Sequence, residues 1–579
     1  MAGPAWAACT LTVLLAACGS DVARRAVLDS TRAAGGAAQD WAMIGGDYAA
    51  TRYSPLGEID STNLARLEIR TRSPFDQQSL AERVFGVSDS QRVWYRPRTW
   101  RFQPRRWLGA SERQTSTPVV VDGVAYFTGS YNRVLAVEVA TGRQRWVYRH
   151  RMERVPLVCC GPHNRGVAVA GERVYVGTLD ARLVALDRAA GRPAWDVAVG
   201  DPAASYSITA APLVVNDLVI IGVSGGEYGI RGFLAAFDAR TGAPRWRFWT
   251  VPSPAEGGWW GRWSRVTPDG DSLPRDIDRE KRDSARYPDS WQHGGAPVWM
   301  TPAYDTATGV LYVGTGNPAP ALDDTPRPGD NLFGCSILAL DARTGALRWY
   351  FQLSPHDLWD RDASNPIELF SLRLGDSVVP ALAQANKTGR VYVLDRRNGR
   401  LLVRSDPFVP VRDMFARPTT AGTVIYPAVG GGNVSAPSAY WPAGGLLIVP
   451  GVHRPTRLRL DSGTLQPGRS YYGGQDAGAG GGWGNISAID LATGRIRWQH
   501  RTEVPPVNAG ALVTASGLLL YGDGSSLVAA DVATGRVLRR LDVGCQIDGT
   551  PVTFLEGGRQ RLALVCRAGL LTFGLAGQS

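Results

Sequence analysis

Beyond its first residues the sequence has no long apolar run. After residue 17 nothing approaches the ~20 consecutive apolar residues that cross a bilayer as a helix, which excludes a polytopic helical membrane protein. Cysteine is scarce, 7 in 579 residues, and no Cys-x-x-Cys-His occurs, which argues against covalently attached haem. Gly-X-Y periods and sustained heptads are missing too, so collagen-like and coiled-coil architectures fail. What is plentiful is turn formers and large aromatics: 68 Gly and 38 Pro stand beside 19 Trp and 19 Tyr. So many indoles and phenols do not belong to a disordered chain, and the composition is that of a turn-rich globular protein with a large core.

Charge excludes little but directs attention. Lys and Arg number 63 against 52 Asp and Glu, a net +11. The excess is Arg scattered between turns, not a helix-borne patch with a nucleic-acid motif, so no nucleic-acid partner is expected. The densest basic stretch, Arg96 to Arg106 (RPRTWRFQPRR), reads as a solvated loop with Trp94, Trp100 and Trp107 turned inward, or as a docking surface for an acidic redox partner.

Residues 1–17 are small and apolar and lead into Leu15-Ala16-Ala17-Cys18-Gly19, the form of a bacterial lipoprotein cleavage box with Cys18 as the lipidated residue. A basic n-region is missing, since no Lys or Arg precedes Arg24, and an ordinary secretory signal is the alternative. Either one takes the mature protein out of the cytoplasm. Residues 18–36, within an Ala/Gly/Ser-rich stretch, read as a flexible tether, so the membrane is met only through an N-terminal lipid anchor. Setting aside Cys9 and Cys18 leaves Cys159, Cys160, Cys335, Cys545 and Cys566, an odd number. The adjacent Cys159 and Cys160 are compatible with a vicinal disulfide or with two unrelated thiols.

From residue 117 the chain repeats one pattern: an alternating strand ending in Asp, a Thr-Gly or similar turn, and a Trp a few residues on. The copies are LAVEVATGRQRW (135–146), LVALDRAAGRPAW (183–195), LAAFDARTGAPRW (234–246), ILALDARTGALRW (337–349), VYVLDRRNGR (391–400), ISAIDLATGRIRW (486–498) and LVAADVATGRVLRR (527–540). Gly142, Gly191 and Gly242 are 49 and 51 residues apart, and Gly494 and Gly535 are 41 apart, the length of a four-stranded blade. The alternation is that of a half-buried strand, the Gly supplies a turn with positive φ, and the Trp is placed to pack between neighbouring sheets. Seven copies, with an N-terminal strand free to complete the ring, predict an all-β, eight-bladed β-propeller with tryptophan-docking type repeats over residues 37–579. A propeller does not by itself specify a chemistry.

Four segments interrupt the repeat: CCGPHNRG (159–166), SGGEYGIRG (224–232), GTGNPAP (314–320) and PHDLWDRD (355–362). With the opening DWAMIGGDYAATRYSPLGEIDSTNL (40–64), they resemble the pyrroloquinoline quinone (PQQ)-dependent alcohol dehydrogenases of the methanol dehydrogenase type over nearly all of the mature chain. Glu227, Asn317 and Asp360 offer oxygen ligands to a hard cation from three different segments, and the resemblance makes them metal ligands beside PQQ. It gives Asp360 a second role as general base. Asp362 resembles the additional carboxylate of the lanthanide-using branch, so the metal is Ca²⁺ or a lanthanide ion. For PQQ the resemblance implies Trp299 as one stacking face and a Cys159–Cys160 disulfide as the other. It also implies Arg165, Thr209 and Ser224 as partners of carboxylates and carbonyls, Lys387 as the catalytic cation at the reduced quinone oxygen, and Asn433 as a further contact.

The implied activity is oxidation of a small alcohol to an aldehyde on the periplasmic side, with electrons passing to a separate acceptor such as a c-type cytochrome. A sugar or polyol dehydrogenase and a non-catalytic propeller scaffold are the alternatives. Thr115, Val434 and Asn508 depart from the family pattern, and the Arg/Asp-rich insertion at 255–290 falls where a substrate funnel is expected.

Overall fold

The computed structural model describes residues 40–75, 114–152, 159–461, 464 and 470–577. The lipoprotein box, the tether and the basic stretch at 96–106 lie outside the described residues. What is described is an all-β, propeller-type fold of nine sheets: one five-stranded, seven four-stranded and one three-stranded. Helix is minor, the longest piece being the seven-residue α-helix Ile277–Asp283.

The repeat copies explain the sheets. In each, the alternating strand pairs antiparallel with the strand after the turn, which carries a Trp in five of the seven, as Phe233–Asp238 does with Pro244–Trp249. The strand-ending Asp closes the turn: Asp238 Oδ1 accepts the Thr241 amide at 2.8 Å, and Asp341, Asp490 and Asp531 do the same three residues on. All seven turn glycines have φ between 68° and 74°, the left-handed region that other residues enter at a cost. Five indoles then reach the next repeat. Trp146, Trp195, Trp246, Trp349 and Trp498 donate Nε1–H to the carbonyls of Arg188, Ala239, Ala342, Arg396 and Val532, at 2.9 to 3.2 Å. Each also lies under the turn glycine of that repeat: a Cβ at Gly399 would sit 2.5 Å from the Trp349 ring. These contacts bind sheet to sheet through apolar area and a hydrogen bond at once.

Two N-terminal segments close the assembly. Leu67–Pro74 pairs antiparallel with Gly569–Leu575, joining the first described residues to the last. Upstream, residues 41–52 bond to the first strand of six sheets. Trp41 pairs with Val120, Tyr48 Oη donates to Val214 O at 2.8 Å, and the carbonyls of Tyr48, Ala49, Thr51 and Arg52 accept the amides of Tyr304, Leu369, Tyr440 and Val513. One segment thus ties together strands separated by hundreds of residues. The core lies between sheets; the largest cluster packs Phe127, Leu135, Phe554 and Phe573 where the last sheet meets the first.

The structure contains a disulfide between Cys545 and Cys566, a pair that spacing had not singled out. Cys159 and Cys160 are two free cysteines with sulfurs 2.7 Å apart, and Cys335 is a buried thiol.

Candidate active site

Connections within sheets, at Glu227 and Asn317, and between sheets, at Arg165 and Asp360, bring the interrupting segments together. Glu227 sits on the one-turn helix Gly226–Tyr228, entered through Gly225 at φ 120°, where a Cβ would lie 2.3 Å from Ser205 O. Glycine there allows the paired bonds between Ser207 and Ser224 that fix the segment. Asp360 adopts φ 59° in a loop closed by Asp357, whose Oδ2 accepts the amides of Trp359 at 3.2 Å and Arg361 at 3.1 Å. Between the two aspartates, Arg361 is buried against the rings of Trp359 and Phe415 and donates to the carbonyls of Met414 and Pro427. Asp362 approaches Gly316 so closely that a Cβ there would lie 2.7 Å from its Oδ1.

Lys387 lies at the centre. Its ammonium is 3.4 Å from Asp360 Oδ1, 3.0 Å from the Asp360 carbonyl, and in direct contact with Asp362 Oδ2. Asp362 Oδ1 accepts the Asn317 amide at 2.9 Å and the Trp299 indole N–H at 3.3 Å. Three of the predicted residues, Lys387, Trp299 and the backbone N–H of Asn317, therefore meet at Asp362. Burial pushes the Asp360 carboxyl well above the usual carboxylate range, Lys387 pulls against that, and Asp362 and Glu227 add to it. Burial raises Glu227 as well, with Asp362 contributing. Burial alone would lower the Lys387 ammonium, yet Asp360 and Asp362 carry it above its ordinary value.

A second chain of polar groups runs alongside. Arg165 Nη1 donates to Thr209 Oγ1 at 2.8 Å, and Thr209 Oγ1 is 2.9 Å from Ser224 Oγ. The Arg165 guanidinium lies over Trp299, 4.7 Å from the ring centroid, and burial lowers its pKa to about 10. Cys159 and Cys160 are solvent-accessible and near Glu227, and their contact makes them unlike, Cys159 pushed up and Cys160 down.

These residues fit the groups the resemblance implies. Asp362 and Glu227 disfavour the ionisation of Asp360, and Asp362 that of Glu227; a hard cation with oxygen ligands relieves that. Arg165, Thr209, Ser224 and Lys387 offer donors and positive charge to a polyanionic ring system beside an indole face. Among the described residues, no three His, Cys, Asp or Glu side chains already converge as a metal-ligand group; Lys387 engages Asp360 and Asp362 instead.

Asn433 is placed differently from the rest. Its amide donates to Ala436 O and Pro450 O, and its Oδ1 accepts from Asn365 at 2.6 Å, so its polar atoms are committed to the scaffold. Of the departures, Thr115 is buried and bonds weakly to Asn164 O, Val434 is half-buried, and Asn508 accepts from Ser435 Oγ at 2.7 Å. Asn508 also lines a cavity of about 280 Å³ with Val504, Ile547 and Arg567.

Tyr472 was missed. Its hydroxyl is buried without a hydrogen-bond partner, and burial, then Asp360, Asp476, Glu227 and Cys159, push its pKa well above the ordinary value. The preceding Tyr471 amide bonds to the Glu227 carbonyl. No repeat or motif marks this tyrosine.

A propeller whose loops gather carboxylates, a buried ammonium, an arginine and an indole into one site is a cofactor-dependent enzyme by class. The family profile of the glucose/ethanol/alcohol dehydrogenase beta-propeller domain (PQQ) matches residues 41–407 and 479–562. Quinoprotein alcohol dehydrogenase PedH of Pseudomonas putida is 34% identical over 482 residues, covering 78% of each chain. The lanthanide-dependent methanol dehydrogenase of Methylacidiphilum fumariolicum is 30% identical over 568 residues, 93% of this chain and 86% of that one. The crystal structure of quinohemoprotein alcohol dehydrogenase from Comamonas testosteroni superposes with a TM-score of 0.77 at 27% identity, covering 96% of this chain and 84% of that one. The chain belongs to the PQQ-dependent quinoprotein alcohol dehydrogenase family, and its resemblance to that family, read from motifs, is borne out.

Proposed function

We propose that this chain oxidises a small alcohol to an aldehyde with PQQ and a metal ion, Ca²⁺ or a lanthanide, and passes the electrons to a separate acceptor such as a c-type cytochrome. The observation that carries this reading is the meeting of Lys387, Asp360, Asp362, Asn317 and Trp299 around one carboxylate, with Glu227 electrostatically coupled to it. PQQ supplies a two-electron, hydride-accepting centre when bound. Glu227, Asn317 and Asp360 would hold the cation, with Asp362 as a further carboxylate suited to a trivalent ion. The name of the lanthanide-dependent relative supports keeping a lanthanide among the candidate metals.

Asp360 receives the proton of the alcohol hydroxyl. Lys387 holds that carboxylate in place and presents positive charge where oxygen gains electron density. Arg165, hydrogen-bonded to Thr209, turns its guanidinium to the cofactor's carboxylates; Thr209 and Ser224 continue the line of donors. Trp299 would supply one stacking face for the ring system, and Cys159 and Cys160, closed into a disulfide under oxidising conditions, would supply the other. The sheets support an eight-bladed ring with tryptophan-docking repeats, the three-stranded sheet Thr423–Ile425, Thr456–Leu460 and Gly474–Gly478 being accessory. Cys18 anchors this body by lipid on the periplasmic side.

The test is dye-linked oxidation of a panel of primary alcohols by purified protein given PQQ with Ca²⁺ or La³⁺. The proposal requires turnover that needs both additives and is lost in Asp360→Asn. Turnover by that variant at the wild-type rate refutes Asp360 as the base.

A further inference from the structure

The insertion at 255–290, rich in Arg and Asp, sends part of its charge inward. Arg275 is buried and donates to both oxygens of buried Glu280, at 3.1 and 2.6 Å, and to Asp330 Oδ1 at 2.6 Å. Asp330 in turn accepts the amides of Arg262 and Ser264. This cluster meets the loop that carries Asp360 at His356, which is itself buried, while Leu273 of the insertion packs in the same apolar cluster as Leu358 and Trp359.

His356 is held on three sides. Its amide donates to Asp330 O at 3.0 Å, its Nδ1 faces Gly329 O at 2.6 Å, and its Nε2 faces Asp324 Oδ2 at 3.0 Å. The ring is therefore held from both of its nitrogens at once. Charged groups surround it. Glu280, with Oε2 3.6 Å from Nδ1, Asp330 and Asp324 are three carboxylates. Arg275 and Arg417, the latter 2.6 Å from Asp324, supply two close guanidiniums; Arg279 stands off at 3.8 Å and is half exposed. On the loop's other flank, Arg327 donates to Asp357 O at 2.6 Å, and Asp357 binds the amides of Trp359 and Arg361.

The loop needs such an anchor. His356 and Asp360 both adopt left-handed backbone, φ 56° and 59°, a conformation that non-glycine residues hold only where surroundings fix it. We infer that the insertion is a buttress for the catalytic loop, and that His356 is the positioning residue through which its ion network fixes the orientation of Asp360. The inference rests on the reading of Asp360 given above, but it is tested separately.

The experiment compares wild-type protein with His356→Gln, whose shorter, flexible amide lacks the ring that spans both partners. Hydrogen exchange of peptides covering 353–363 is followed in the cofactor-free protein, with a peptide covering 119–138 as reference. Tb³⁺ binding is followed by luminescence, and alcohol kinetics after reconstitution with PQQ and La³⁺. Expected are exchange about tenfold faster in 353–363 with the reference unchanged, weaker Tb³⁺ binding, and a kcat about tenfold lower with KM nearly constant. Unchanged exchange in 353–363, or equal acceleration in both regions, overturns the inference. Should wild-type protein turn over no alcohol, the proposed function fails while exchange and Tb³⁺ binding still decide the buttress. If His356→Gln does not fold, Arg417→Gln frees Asp324 from the half-exposed rim; it should accelerate the same peptide to a smaller degree, and no change overturns the inference.

Discussion

Replacing Lys387 by Met keeps the length of the side chain and removes its charge, and the structure predicts opposite effects on metal binding and turnover. The ammonium is 3.4 Å from Asp360 Oδ1 and touches Asp362, the carboxylates proposed to meet a cation. Without it, two buried acids lose their counter-ion, which destabilises the cofactor-free protein by roughly 3–5 kcal/mol, the cost of breaking a buried pair. The same vacancy favours a metal ion. Unit charges about 4 Å apart interact by roughly 4 kcal/mol at an effective dielectric of ~20; solvent access and rearrangement reduce this, leaving about 1–3 kcal/mol, or roughly 5- to 150-fold tighter binding. Calorimetric titration of Ca²⁺ and La³⁺ into PQQ-free wild-type and Lys387→Met protein measures it, with thermal melts alongside. Lys387→Met should melt earlier without metal, regain stability with it, bind it more tightly, and turn over alcohol at least about tenfold more slowly once PQQ is added. Unchanged or weaker cation binding would refute the reasoning, because Lys387 would then not compete for the ligand carboxylates.

Other outcomes follow from single residues. Gly399→Ala forces a Cβ to 2.5 Å from Trp349 at φ 73° and should lower stability by about 1–3 kcal/mol in denaturant melts. Reducing the Cys545–Cys566 disulfide reopens a loop with a sequence separation of 21, so reductant should lower the melting midpoint in proportion to about 3 kcal/mol, and Cys545→Ser should show no further response. Burial raises the Glu368 carboxyl well above its ordinary value, and both its oxygens lack hydrogen-bond partners. The folded state keeps a proton that the unfolded chain gives up above pH ~4, so this group's stability is full below that pH and is lost as pH rises toward the folded value. Glu368→Gln should therefore melt higher than wild type at neutral pH and lose the advantage in acid. Tyr472→Phe removes a buried hydroxyl coupled to Asp360 and should change alcohol KM or kcat while leaving quinone retention intact.

The propeller was legible because its signals are local. Asp238, Thr241, Gly242 and Trp246 lie within nine residues, and Asp, turn glycine and Trp recur together along the chain, so the pattern can be read without knowing distant partners. The site was legible through motifs that break this period, and the structure brings Lys387, Asp360, Asp362, Asn317 and Trp299 into direct contact. What stayed hidden depends on pairing across the chain. Cys545, in the loop after Val537–Asp542, and Cys566, at the end of Arg559–Cys566, form a pair that no spacing rule links. Arg275 meets Asp330 across 55 residues, so the Arg/Asp-rich insertion, whose sequence shows only exposed-type charge near an expected funnel, holds a buried ion network. Asn433 matched a family position, yet its side-chain atoms serve the scaffold, since a motif match says nothing about which hydrogen bonds are already taken.

The central claim is that this site binds PQQ with a metal ion held by Glu227, Asn317 and Asp360. The most direct test is the quinone absorbance that purified protein retains after desalting, with and without Ca²⁺ or La³⁺, in wild type and in Glu227→Gln. The account predicts stoichiometric, metal-dependent retention by wild type and its loss in the variant. No retained quinone in wild type with either metal, or equal retention in both proteins with no metal present, would contradict it.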